Sequence, residues 1–273
     1  MTRHGVWRPS AVLGAALVLC ALGAALAAPL MHQAAYEQDL AMRLRAPGER
    51  GLLGTDLLGR DVFARVLFGI RVSLLVAIAA VVAACSVGTV LGLLAGYFLG
   101  WWDDVIMRAA DVFLSIPLVL LAITVMAAVR ERGLTILILV IAGTQWMGYA
   151  RTVRAETLAL KEGEFVEAAR ALGAGYSRIV FKHILPGVLP TVVTLATLQV
   201  PVVILIEAGL SYLGLGVQPP DPSLGYMLQE SRIYFSRAPW LAVVPGAALA
   251  LVVLGINLLG DGLGTLVNPR LRA

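Results

Sequence analysis

Charge is scarce in this chain: Asp, Glu, Lys and Arg together make up 14% of its 273 residues, where an ordinary soluble domain carries about 25%. Cysteine is scarcer still. Cys20 and Cys85 are the only two and both lie in long apolar runs, which excludes a disulfide scaffold. The three histidines, His4, His32 and His183, all fall outside the apolar runs, so no intramembrane Ser–His pair can form. Gly209-Leu210-Ser211 has the shape of a nucleophile turn without a base to activate it. No Cys or His cluster stands at ligand spacing, and Asp56 and Asp61 read as turn and capping residues rather than metal ligands. Lysine occurs only at 161 and 182, and neither follows a glycine, so the chain has no phosphate-cradling P-loop. Any ATP-driven work must come from a partner. The 21 basic and 17 acidic residues are scattered between apolar segments, and no basic, aromatic-interleaved surface suggests nucleic acid.

What the chain has in quantity is apolar length. Hydrophobic residues make up 59% and mean hydropathy is +0.87, which places it in a membrane. At about 1.5 Å rise per residue, a hydrocarbon core of about 30 Å needs roughly 20 apolar residues. Six stretches qualify, near Ser10–Ala28, Val72–Leu99, Val112–Val129, Leu134–Ala150, Val188–Leu213 and Leu241–Leu259. The expectation is an all-α membrane protein with six transmembrane helices. Arg3 and Arg8 before a run ending Ala25-Leu26-Ala27-Ala28 also resemble a secretory signal, but the stretch is read as the first span. Glu207 is the one ionisable residue inside a span. It either lines a path or, the preferred reading, reaches the membrane interface from a helix end. Orientation cannot be taken from basic residues, because two alternating sets of segments hold 11 and 10 of the 21.

Three connections are long: Pro29–Arg71, Arg151–Gly187 and Gly214–Pro239. In the middle one, Glu164 to Leu172 is rich in helix formers, and Phe165, Ala169 and Leu172 recur at i, i+4 and i+7 as one apolar stripe. Gly173 then stands where a left-handed cap is expected, and Pro186 and Pro190 follow. The stripe suits a lipid surface, packing on its own protein, or a partner's groove; its shortness favours protein contact. In the second span Gly88, Gly92, Gly96 and Gly100 recur every fourth residue, the spacing that lets helix backbones approach closely in lipid.

Glu167-Ala168-Ala169, then Gly173, then Leu185-Pro186 resemble the EAA motif of inner-membrane permease subunits of binding-protein-dependent ABC importers. His183 stands at the motif's isoleucine position, with Ile184 after it. Leu53-Gly54-Thr55-Asp56-Leu57-Leu58-Gly59-Arg60-Asp61 resembles the signature after the first span in the C-type subunits of dipeptide, oligopeptide and nickel importers, and Ser211 to Pro220 resembles a second one. Leu224 occupies a position where the family often has tryptophan. Asn257 to Leu263 and Asn268-Pro269-Arg270 are similar to the family's C-terminus. The resemblance divides the chain into 1–50, the first helix and the start of an outer loop, and 51–273, the permease domain with its coupling loop at 151–187.

The resemblance implies a heterodimer with a second permease subunit, two cytoplasmic ATP-binding subunits and an extracytoplasmic substrate-binding protein, all at the bacterial cytoplasmic membrane. ATP and Mg belong to the partners and no cofactor to this chain. Both termini are expected in the cytoplasm. Glu164, Phe165, Glu167, Ala168, Ala169, Arg170, Leu172, Gly173, Leu185 and Pro186 are expected to dock the ATPase. Gly54, Thr55, Asp56, Gly59, Arg60 and Asp61 form the outer signature, and the four glycines pack helices. Peptides are the expected cargo, with nickel or another small solute as the alternative. A gradient-driven carrier would show paired ionisable groups at mid-membrane and an internal repeat; a structural membrane protein would leave the EAA-like loop idle.

Overall fold

The computed structural model describes residues 9–129 and 133–267, and every helix and turn of helix named below lies there. The expected Asn268-Pro269-Arg270 motif and the placement of both chain ends lie outside these residues. Twelve α-helices follow in order: α1 Pro9–Ala27, α2 His32–Tyr36, α3 Val62–Phe98, α4 Trp101–Leu114, α5 Leu118–Ala128, α6 Leu134–Gly143, α7 Trp146–Lys161, α8 Glu164–Ala171, α9 Tyr176–Ile179, α10 Leu185–Tyr212, α11 Leu224–Ser231 and α12 Trp240–Val267.

Among the described residues, five segments are long and apolar enough to cross a membrane: Pro9–Tyr36, Val62–Phe98, Leu134–Lys161, Tyr176–Tyr212 and Trp240–Gly260. A sixth qualifies only as a bent pair, Trp101–Leu114 with Val119–Ala128, turned by 93°. The continuous span expected at Val112–Val129 is therefore broken. Pro117 stands at the break, where a proline disfavours helix in the residue before it.

The chain forms two compact units. One comprises the described parts of Met1–Ala79, Met126–Ile138 and Val200–Ala273; the other comprises Ala80–Val125 and Leu139–Gln199. In the first unit α1 lies antiparallel along α12. A Cβ on Gly14 would come within 2.6 Å of the Leu259 amide nitrogen, one on Gly255 within 2.7 Å of Leu17 Cβ, and one on Gly262 within 2.6 Å of Ala11 Cβ. Glycine at each contact lets the two helix backbones approach closely, as small residues do between helices in lipid. The first half of α3 carries the other wall, with Gly69 against Leu224 of α11.

α3 begins ten residues earlier than the expected Val72. Asp61 Oδ1 accepts the Ala64 amide at 2.9 Å and so caps the helix start. Arg65, assigned from sequence to an outer loop, sits inside the helix because its charge is met by buried carboxylates rather than by water.

In the second unit, the later half of α3 packs on α7. A Cβ on Gly88 would lie 2.5 Å from Trp146 O, one on Gly92 2.6 Å from Ala150 O, and one on Gly96 2.7 Å from Thr157 Cβ. Contacts advance along α7 as the glycines advance along α3. Gly100 departs from this pattern: it follows the end of α3 with φ +57°, and a Cβ there would meet nothing within 4 Å. The residue caps α4 rather than packing a helix. Arg154 and Arg151 of α7 pair with Asp103 and Asp111 of α4, so four charges on these two helices neutralise one another.

Candidate functional site

Two sites take shape, one in each unit. In the second unit, α7 runs to Lys161, so the expected connection 151–187 is helical for its first third. Lys161 Nζ donates to Tyr97 O at 2.6 Å, placing a cation on a carbonyl near the C-terminal end of α3. Gly163 opens α8, with Glu164 and Glu167 in the first turn and Arg170 in the last, the arrangement that suits a helix dipole. α8 closes on a Schellman cap: Gly173 N donates to Arg170 O and Ala174 N to Ala169 O, each at 3.0 Å. Gly173 supplies the left-handed φ of +79° that this closure needs.

The face that α8 turns inward is not the expected stripe. Val166, fully buried, enters a core with Leu93, Tyr97, Val153, Ile179, Ile184, Val188 and Val192. Phe165 is 47% exposed and Leu172 88% exposed, and Ala169 is half-buried. α8 is thus anchored through one valine, while Phe165 and Leu172 remain largely open. Glu164, Glu167 and Arg170 are exposed and form no ion pair among the described residues. Glu167 and Arg170 line an open cavity of about 250 Å³ with Leu99, Leu158, Lys161 and Glu162.

After α9 comes one π turn, Val180–Ile184. Here His183 lies half-exposed with its ring 6.4 Å from that of Phe165, and Ile184 takes the buried position. Leu185 packs at the edge of the same core, and Pro186 stands exposed in the first turn of α10, where its missing N–H costs nothing.

In the first unit, the signature loop folds around Asp56. Its Oδ1 accepts the amides of Leu58 at 2.8 Å and Arg60 at 2.9 Å; its Oδ2 accepts Arg60 Nε at 2.7 Å and Arg65. Glu230 of α11 faces the same guanidiniums, 2.9 Å from Arg65 and 3.4 Å from Arg60. Asp56 and Arg65 are each 2% exposed. Burial, followed by the neighbouring Glu230 carboxylate, pushes the Tyr226 phenol up from its ordinary value, so it stays neutral. Thr55 Oγ1 donates to Met42 O at 2.5 Å and accepts the Arg45 amide at 2.9 Å. Gly54 and Gly59 both adopt φ +76°; a Cβ on Gly59 would strike Asp39 O at 1.9 Å. The motif therefore builds a rigid clasp between the loop, α3 and α11. Glu230, its fourth charge, has no counterpart in the motif and was missed; only its place in an amphipathic segment after Ser223 could have hinted at it.

Glu207 is neither at an interface nor on an open path within this unit. It is fully buried, and accepts Ser73 Oγ and Ser211 Oγ at 2.7 Å each. Ser211 Oγ in turn accepts the Val217 amide at 3.1 Å. One carboxyl group thus joins α10 to α3. No group of three or more His, Cys, Asp or Glu among the described residues could hold a metal ion.

Residues 88–273 match the family described as binding-protein-dependent transport system inner membrane component. A glutathione transport system permease protein of Pectobacterium atrosepticum is 43% identical over 227 residues, covering 83% of this chain and 75% of that protein. A dipeptide transport system permease protein of Alkalihalophilus pseudofirmus is 39% identical over 264 residues, covering 96% and 86%. Among solved structures, a chain of the MetNI methionine ABC transporter superposes with a TM-score of 0.58 at 22% identity, over 74% of this chain and 96% of that one, a likeness of fold.

Proposed function

Because this chain belongs to the family of binding-protein-dependent transport system inner membrane components, we propose that it carries small peptides inward as half of a heterodimeric pathway, driven through α8 by two cytoplasmic ATPases. It is a permease subunit of an ABC importer. The peptide assignment is supported by relatives named for glutathione and dipeptide transport. The docking assignment is carried by one observation: α8 is held to its own unit through Val166 while Phe165 and Leu172 on its other side stay open.

A helix closed by a C-terminal cap and pinned to a core moves as one body when a partner's groove moves. Glu164, Glu167 and Arg170 supply charges for the rim of that contact, and Phe165, Ala169 and Leu172 its apolar centre. Displacement of α8 passes to α10 through Ile179, Ile184 and Val188, which share its core. In this reading both termini and the loop after α7 face the cytoplasm. The Asp56 clasp and the segment around α11 face the binding protein, which delivers the cargo.

Uptake measures the cargo. Cells carrying the complete importer are expected to accumulate labelled di- and tripeptides saturably, with no nickel uptake above the deletion strain. Nickel accumulation without peptide uptake would overturn the peptide reading and leave the importer reading standing.

A further inference from the structure

One apolar groove of the second unit has no role in docking or in the pathway described above. The end of α3 forms one wall with Val90, Leu93, Leu94 and Phe98, residues that share a helical face. Tyr176, Ser177, Val180 and Phe181, from α9 and the π turn, form the other. The space holds about 330 Å³, at the small end of ligand pockets, which run about 300–1,000 Å³. Val90, Phe98, Tyr176 and Phe181 all remain exposed.

Three observations say what covers it. First, the groove lies at the end of a helix long and apolar enough to cross a membrane, and its aromatic residues are of the kind that gather at a membrane interface. α3 is a membrane-spanning helix that stops at Phe98, and aromatic rings collect there: Tyr97, Phe98 and Tyr176 stack edge-on or tilted with centroids 5.2–6.1 Å apart. Trp101 and Trp102 follow at once, both exposed, as interfacial aromatics do. Second, the α9–π-turn segment that forms one wall carries two exposed cations. Arg178 and Lys182 lie one turn apart, each next to a lining residue, Ser177 and Phe181. Both are exposed, and neither has an ion pair among the described residues. Third, the groove itself is apolar, so the complementary ligand has an apolar tail and an anionic head.

We propose that this groove binds one anionic phospholipid, with an acyl chain between α3 and the α9–π-turn segment and its phosphate held by Arg178 and Lys182. Basic pockets between membrane helices take anionic headgroups in this way. The site depends only on α3 spanning the membrane and not on the cargo or on ATPase docking.

The test uses the assembled importer extracted gently from its native membrane. Native mass spectrometry compares the wild type, the double variant Arg178→Ala/Lys182→Ala and the control Arg43→Ala, an exposed cation of the outer loop. Wild type and control are expected to retain phosphatidylglycerol or cardiolipin in preference to phosphatidylethanolamine. The double variant is expected to bind it roughly thirtyfold more weakly, since each basic residue near the surface contributes on the order of 1 kcal/mol. In a second arm, a benzophenone amino acid replaces Phe181 and the intact complex is irradiated in the membrane. An adduct of phospholipid mass is expected. Equal retention by the double variant, or an adduct joining this chain to another subunit, would overturn the proposal.

Discussion

Asp56→Ala is expected to cost the folded protein about 3–5 kcal/mol, the range for removing one partner of a buried charge cluster. The substitution would leave Arg60 and Arg65 facing only Glu230, with Arg65 inside the start of α3 and nearly sealed from water. It would also free the amides of Leu58 and Arg60, which the same carboxylate now holds. Coulomb attraction does not make this cluster favourable by itself, because burying the ions is costly. The damage comes from leaving cations buried without their anion. In a detergent-solubilised sample the thermal midpoint is expected to fall by roughly 10 °C, at about 2–4 °C per kcal/mol for a chain of this size. Tyr36→Phe makes the contrast: its hydroxyl donates to Asp221 at an exposed site, and losing such a bond costs about 1 kcal/mol. Equal midpoints for the two variants would mean that the clasp does not hold the first unit together.

Gly92→Val is expected to do comparable harm in the second unit by a different route. A Cβ at Gly92 lies 2.6 Å from Ala150 O and 2.7 Å from Val153 Cβ. Neither atom is the movable tip of a side chain, so α3 and α7 must separate. Overpacking of this kind costs about 1–3 kcal/mol and occasionally more. Here it also opens the core that anchors Val166 and therefore α8. Gly23→Val is the control, since a Cβ there meets nothing within 4 Å. Loss of monodispersity and of thermal stability in Gly92→Val but not in Gly23→Val is the expected result; the same loss in both would contradict a specific α3–α7 contact.

The parts of the molecule that could be read from sequence are those whose cause is local. α8 appears within a residue of its expected bounds because helix formers, first-turn acids and a glycine cap all act within one short segment. Gly88, Gly92 and Gly96 announce a close helix contact because small residues at this spacing have few other uses in lipid. The inward residue of α8 was hidden, since Val166 breaks the stripe and its partners come from α3, α7 and α10. The start of α3 was hidden too. Arg65 and Arg71 look like loop residues until Glu230, far along the chain, is seen to neutralise the first of them. Glu207 shows the same limit: its serine donors include Ser73, 134 residues away, and no spacing rule connects them.

If α8 transmits the work of partner ATPases, those ATPases must be held through it, and purification from the native membrane shows whether they are. The tagged chain is isolated in mild detergent and its companions are identified by mass spectrometry, alongside Glu167→Ala and Ala169→Asp. A second permease and P-loop ATPases are expected with the wild type. Ala169→Asp places a charge in the apolar centre of α8 and is expected to lose the ATPases while keeping the second permease; Glu167→Ala is expected to weaken ATPase recovery less. ATPases recovered equally from the wild type and from Ala169→Asp, or absent from the wild type when the second permease is retained, would mean that α8 is not where the ATPases dock.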